Sequence, residues 1–426
     1  MRAKEYLDIL KEEVIPALGC TEPIAVALAS AAAKNALNEE VESIDVLVSR
    51  NILKNGMAVG IPGTGLVGID VAAALGAIGG NSNYGLEVLK SVTEEDIAKA
   101  KEFIKDKKVN VSLKDTDEKL YIEVICKNKN DDGRAVIKKQ HTNIVIIEKN
   151  EKVLFECSDG KESTKNNQTN REKDMTIKGI YDFATTVPFE DIEFILKGAE
   201  MNKKVAGEGL KSDYGLRVGK TLMKNINNGI LNNSLEAYII ATVTAAVDAR
   251  MDGCIYPVMT TAGSGNQGLT AFLPSVAMAE KLKYGNEKLA RALVISTLST
   301  IHIKSFIGRL SALCGCGVAA SIGSCSALTY LLGGDYEAIV KGIKNMIGDV
   351  SGMICDGAKP GCALKISTAV SAAVQCALLA KDGVEISSHD GIIHRDVEQT
   401  IKNLGLLGSN GMVETDKVIL DMMVCK

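Results

Sequence analysis

The chain has no tryptophan, and phenylalanine and tyrosine together make up only 4% of its 426 residues. A core cannot then be built around large rings. Close helix packing through alanine and the 40 glycines must replace it. Only four histidines occur, His141, His302, His389 and His394, and no two stand at His-x-x-x-His spacing, so a histidine-ligated zinc site has no sequence support. His302, inside an apolar helical stretch, reads as a satisfied helix residue. There is no large charge excess: the net charge of −4 offers no basic face to nucleic acid. The longest apolar runs, Ile24 to Ala33 and Tyr238 to Val247, fall short of the roughly 20 residues that span a bilayer. The N-terminus is charged and helical in pattern, unlike a secretory leader, so a cytoplasmic, non-membrane protein is expected. P-loop, Rossmann and Gly-x-Ser-x-Gly fingerprints are absent, which sets nucleotide and serine-hydrolase readings aside.

Cysteine is what the chain does have. Eleven of them, an odd number, do not suggest a secreted disulfide framework; clustered thiols in a reducing compartment suggest metal or catalysis. Cys316 stands in Leu-Cys-Gly-Cys-Gly, and Cys355 and Cys362 in Cys-Asp-Gly-Ala-Lys-Pro-Gly-Cys. Gly357, Pro360 and Gly361 argue for a loop that bends both thiolates toward one small cluster. Three thiolate ligands, where four are usual, would leave one iron open to a substrate. The competing reading is that these are small core residues. Cys314 is expected to pack away from the site, and Cys325 and Cys376 to lie in the core. Cys126 and Cys157 read as structural. Cys20 precedes a helix start in Gly19-Cys20-Thr21-Glu22-Pro23, where Thr21 reads as the N-cap and the helix field should lower the thiol pKa.

Periodicity predicts an α+β protein. Residues 3 to 15 and Ile24 to Leu37 read as helices, the first with Tyr6, Ile9, Leu10 and Val14 on one face. Strands are expected at Val41–Ser49, Val109–Leu113, Leu120–Cys126, Arg134–Lys139 and Thr142–Ile147, with helices near 66–78 and 94–106. Ser158 to Lys173 is polar and reads as a linker or hairpin tip. From Ile177 onward nearly everything is helical. The expected division is 1–37, helices packing on the catalytic part; 38–175, a small α/β module; and 176–426, a large all-helical iron–sulfur domain.

Two glycine-rich loops, each followed by a helix, are candidate anion cradles. One runs from Lys54 to Gly65 and offers Asn55 and Thr64. The other runs from Thr260 to Gly268 and offers Ser264, Asn266 and Gln267. The plain alternative for both is a tight turn between packed helices.

At these residues the chain resembles the L-cysteine desulfidases and their bacterial relatives, which are related to the catalytic part of iron–sulfur L-serine dehydratases. The resemblance runs over nearly the whole length. Its carriers are Leu18–Pro23, Lys54–Gly65, Asp248–Met251, Gly263–Gly268, Leu313–Cys316, Met353–Lys359 with Cys362, and Gly411-Met412 through Thr415-Asp416. It implies a [4Fe–4S] cluster on Cys316, Cys355 and Cys362, Cys20 as the active-site base, and α,β-elimination of L-cysteine to pyruvate, ammonia and hydrogen sulfide. The substrate would be a small amino acid; homo-oligomerisation is left open. By the same resemblance Cys425 would approach the open iron when no substrate is bound. L-Serine dehydratase is the nearest alternative, although a Ser-Ser-Ser-His-Thr type motif of those enzymes is replaced here by Gly19–Pro23. A non-catalytic iron–sulfur protein is an alternative of another class. A pyridoxal-dependent lyase using Lys359 or Lys365 lacks a phosphate cup.

Overall fold

The structure, a computed structural model, describes residues 1–157, 168–308 and 311–424. It is α+β, with a six-stranded mixed sheet in the first part and a large helical portion after it. The sheet order is Val109–Leu113, Ser43–Val48, Tyr121–Lys127, Asp132–Lys138, Ile144–Lys149 and Lys152–Glu156. Only the first pair is parallel. Alternation explains the pairing: Ile44, Val46 and Val48 turn one face inward while the residues between them stay half-exposed. The edge strand Lys152–Glu156 is exposed on both faces, so it carries no alternation that a sequence reading could find.

The Thr21–Leu37 helix lies against this sheet. Ile24, Leu28 and Leu37 share a core with Val46, Val124 and Ile137. It also crosses the Ile69–Gly79 helix closely: a Cβ on Gly76 would come 2.3 Å from the Ala27 carbonyl oxygen. Only the first helix, Ala3–Glu13, joins the core of the helical portion, through Tyr6, Ile9 and Leu10. The expectation that both N-terminal helices pack on the helical part is therefore corrected for the second. Fifteen of its 17 residues are buried, seven of them alanines, and its apolar side chains share one core with the inward face of the sheet.

The helical portion is layered around Leu235–Met251, Gly265–Leu282, Asn286–Ile307, Ser321–Leu331 and Cys362–Lys381. Cys362–Lys381, with 20 residues, is long and apolar enough to cross a membrane by length and composition, which the apolar-run reading missed. Ala363, Ile366, Ala369, Val370 and Ala373 are fully buried in the protein's own core, so the helix reads as a core element. His302 is satisfied as expected. Its ring bonds the Glu172 carbonyl and the Glu398 carboxylate. Cys325 and Cys376 are buried, and Cys126, on the sheet strand Tyr121–Lys127, is buried against the Thr21–Leu37 helix, whereas Cys157 is exposed. Of the polar stretch 158–173, Gln168–Lys173 is helical and 158–167 lie outside the described residues. Cys425 also lies outside them.

Candidate active site

One cavity is lined by residues from eight separate stretches of chain: Cys20 and Glu22, Asn55, His141, Arg250, the 262–267 loop, Lys304, and the cysteine-bearing segments at 311–316 and 355–365. The last two are brought together by backbone. Leu313 and Ile354 form an antiparallel bridge. The Cys314 amide donates to the Met353 carbonyl at 2.9 Å, and the Cys355 amide to that of Ala312 at 2.7 Å. Between Cys355 and Cys362 the chain turns at Gly357 (φ 94°), whose missing Cβ lets the Lys54 carbonyl approach. Cys362 then opens its helix. Cys314, Cys316, Cys355 and Cys362 all line the cavity.

Cys314 is not turned away. Its Sγ lies 3.4 Å from that of Cys316, and it accepts the Gly317 amide at 3.4 Å. The bridge to Ile354 sets the direction of that segment, and sequence spacing cannot reveal it. The contact from Cys316, the Gly317 amide and the charges of Lys365 and Lys304 bring the Cys314 thiol down to about 7 against the effect of burial. Cys316 is pushed up by the same contact and by burial, and burial lifts Cys362 to about 12. Lys359 and Lys365 both pair with Asp356. Burial would raise that carboxyl, yet the two lysines hold it at about 2.

Cys20 itself, and not Thr21, is the N-cap residue of the Thr21–Leu37 helix. Its side chain makes no capping bond. The thiol instead donates to Glu22 Oε2 at 3.2 Å, which also accepts the Thr21 hydroxyl at 3.0 Å. The other oxygen, Oε1, accepts Asn55 Nδ2 at 3.1 Å and faces His141 Nε2 at 3.9 Å. Burial and the Glu22 charge push the Cys20 thiol well above its ordinary value, although Arg250 opposes them. The expected lowering by the helix field is thus overturned: the thiol is 4% exposed and sits beside a carboxylate. Burial also raises Glu22, but His141 and hydrogen bonds from Cys20, backbone and Thr21 outweigh it and hold the carboxyl below its usual range.

Arg250 connects the two halves of the site. Its Nη2 donates to the Gly19 carbonyl at 2.8 Å and its Nη1 to Asn266 Oδ1 at 2.9 Å. Ser264, Asn266 and Gln267 stand at the start of the Gly265–Leu282 helix and line the cavity. Gln267 is 4% exposed, and its Oε1 has no hydrogen-bond partner among the described residues. The first glycine loop differs. Gly63 and Thr64 amides bond Gly253 and Ile61 carbonyls, and Thr64 Oγ1 donates to Ile61 at 2.8 Å and accepts from Leu66. Thr64 therefore ties its own turn and does not line the cavity, whereas Asn55, one helix earlier, does.

A family model described as serine dehydratase alpha chain matches residues 83–421. The chain belongs to the serine dehydratase alpha-chain family. Proteins named UPF0597 from Parabacteroides distasonis and Clostridium perfringens are 47% and 46% identical over 422 and 421 residues, covering 99% of this chain and 98% of each relative. One from Oleidesulfovibrio alaskensis is 45% identical with the same coverage. The span shared with the serine dehydratase family includes His141, Arg250, the 262–267 loop and all four cavity cysteines. Cys20, Glu22 and Asn55 precede it and fall within the length shared with the UPF0597 relatives. Glu22, His141 and Arg250 escaped the sequence reading. Arg250 stood inside a noted motif, Asp248–Met251, and Glu22 only two residues from Cys20, but nothing in their spacing showed that they meet.

Proposed function

We propose that this chain is an iron–sulfur-dependent lyase that eliminates hydrogen sulfide from L-cysteine, leaving pyruvate and ammonia. The observation that carries it is one cavity holding four cysteines beside Cys20 and a helix N-terminus. The donor set fits a [4Fe–4S] group: thiols only, mutually close enough to perturb one another, with Lys365 and Lys304 nearby to offset negative charge. Among the described residues no three His, Cys, Asp or Glu side chains close around one point as a single ion requires. A cube of four irons spreads its ligands across separate corners and does not require that. Sulfurs 3.4 Å apart cannot serve two corners, so one of Cys314 and Cys316 would ligate, together with Cys355 and Cys362. Cys316 is the ligand that the sequence resemblance implies, although Cys314 is the more readily ionised thiol of the two.

When bound, such a cluster supplies a Lewis-acidic iron for the leaving group and a substrate oxygen. The chain's own groups do the rest. The helix N-terminus with Ser264, Asn266 and Gln267 holds the amino-acid carboxylate. Arg250 keeps that loop and Cys20 at a constant separation. Cys20 receives the Cα proton. The released 2-aminoacrylate tautomerises and hydrolyses in water to pyruvate and ammonia.

The family match favours a second reading, L-serine as substrate, with water as the leaving group. Anaerobic purification, iron reconstitution and parallel assays on both amino acids separate them. Iron-dependent sulfide and pyruvate from L-cysteine at the higher kcat/KM support the proposal. Pyruvate mainly from L-serine replaces it with the second reading, and activity on neither returns the chain to a non-catalytic iron–sulfur role.

A further inference from the structure

Cys20 and Glu22 present a difficulty for any mechanism that makes Cys20 the final base. The thiol is the donor in its bond to Glu22 Oε2, so it already holds a proton. A group that holds its proton accepts another only by passing the first one on. The carboxylate beside it is ionised and in hydrogen-bond contact with that proton. Its two oxygens collect the Cys20 thiol, the Thr21 hydroxyl and the Asn55 amide, with His141 facing Oε1. Glu22 is nine-tenths buried, and these donors offset the cost of burying its charge and keep it in the form that can accept a proton.

We propose that Glu22 is the terminal proton acceptor of the site, and that Cys20 relays the substrate Cα proton to it. The inference rests on the elimination reading above. The Cα–H bond breaks and its electron pair becomes the Cα=Cβ bond. The Cβ–S bond breaks, and sulfur leaves with that bonding pair as hydrosulfide. The Cα proton goes to Cys20 Sγ as the thiol proton passes to Glu22 Oε2. The products are 2-aminoacrylate, hydrosulfide and a protonated Glu22, which returns its proton to hydrosulfide or water as products depart. His141, on the turn between Asp132–Lys138 and Ile144–Lys149, and Arg250, on Leu235–Met251, are the charged or titratable groups facing the pair. Lys304, Lys365 and Asp356 line the same cavity.

The relay makes thiol reactivity and turnover move in opposite directions. In Glu22→Gln the neighbouring negative charge is gone. The pH midpoint for iodoacetamide alkylation of Cys20, followed by mass spectrometry of its peptide in cluster-loaded protein, should fall by at least about one unit. Elimination should nevertheless slow by about 100-fold or more. Glu22→Asp keeps the charge but draws it back by one methylene. It should leave the midpoint high and still slow turnover, and it serves if the Gln variant does not fold. A lower midpoint with unchanged or faster turnover makes Cys20 an independent thiolate base and overturns the relay. An unchanged midpoint in Glu22→Gln means that the pair does not form. If the loaded wild-type protein eliminates nothing, the lyase reading fails and the relay with it, while the alkylation arm still decides whether the pair exists.

Discussion

Cys314 and Cys316 hold their sulfurs 3.4 Å apart on the wall of one cavity, with the Gly317 amide bonded to the first. Two sulfurs that close compete for one iron. After anaerobic reconstitution, Cys316→Ser, Cys355→Ser and Cys362→Ser should each lose more than half of the iron per chain, and Cys314→Ser should keep it. Iron and acid-labile sulfide assays read this directly. Iron lost from Cys314→Ser and kept by Cys316→Ser would exchange the two roles.

Cys20→Ser should retain fold and iron, because the residue makes no capping bond and is not one of the thiols proposed to hold the cluster. A serine hydroxyl is a much poorer proton relay at neutral pH. Elimination should slow by roughly 10²–10⁴-fold, the usual worth of general-base help. Stopped-assay kinetics beside iron content test it, and a variant with parental rate places the base elsewhere.

Arg250→Met should destabilise the protein by about 3 kcal/mol, since it strands the buried Gly19 carbonyl and Asn266 side chain that the guanidinium now serves. Arg250→Lys should recover less than half of that, because an ammonium cannot reproduce a two-armed fork. Urea unfolding midpoints decide the matter. Full recovery by lysine would show that only the charge counts.

Alkaline pH should weaken the iron-free protein. Burial lifts Cys126 and Cys376 to about 12, and burial lifts Tyr6 and Tyr121 to about 12 as well. These groups ionise near 9 and 10 when the chain is unfolded. A raised folded value means that their contribution is complete below the unfolded value and is lost as pH climbs toward 12. Unfolding midpoints should be level between pH 7 and 8.5 and decline steadily above 9. A flat profile to pH 11 would contradict the burial of these groups.

Local pattern was enough for much of this protein. The run of β-branched residues at 44–48 alternates and is a strand; the small-residue stretches after 177 are helices; and Cys355 and Cys362 flank glycines that bend the chain as expected. Such features depend on neighbours within a few positions, which a sequence displays. Other features depend on what packs opposite. Cys314 points inward because Leu313 bridges Ile354. The Thr21–Leu37 helix covers the sheet because the sheet offered a matching apolar face. Thr64, in a loop that looks like an anion cradle, spends its hydroxyl on its own turn. Glu22 gains its meaning from Asn55 and His141, 33 and 119 positions away, and Arg250 reaches back 231 positions to Gly19. Residue type and spacing determined that thiols would gather in this protein. Only tertiary packing decided which proton donors and acceptors face them, because a side chain's direction and pKa are set by the surfaces it is pressed against.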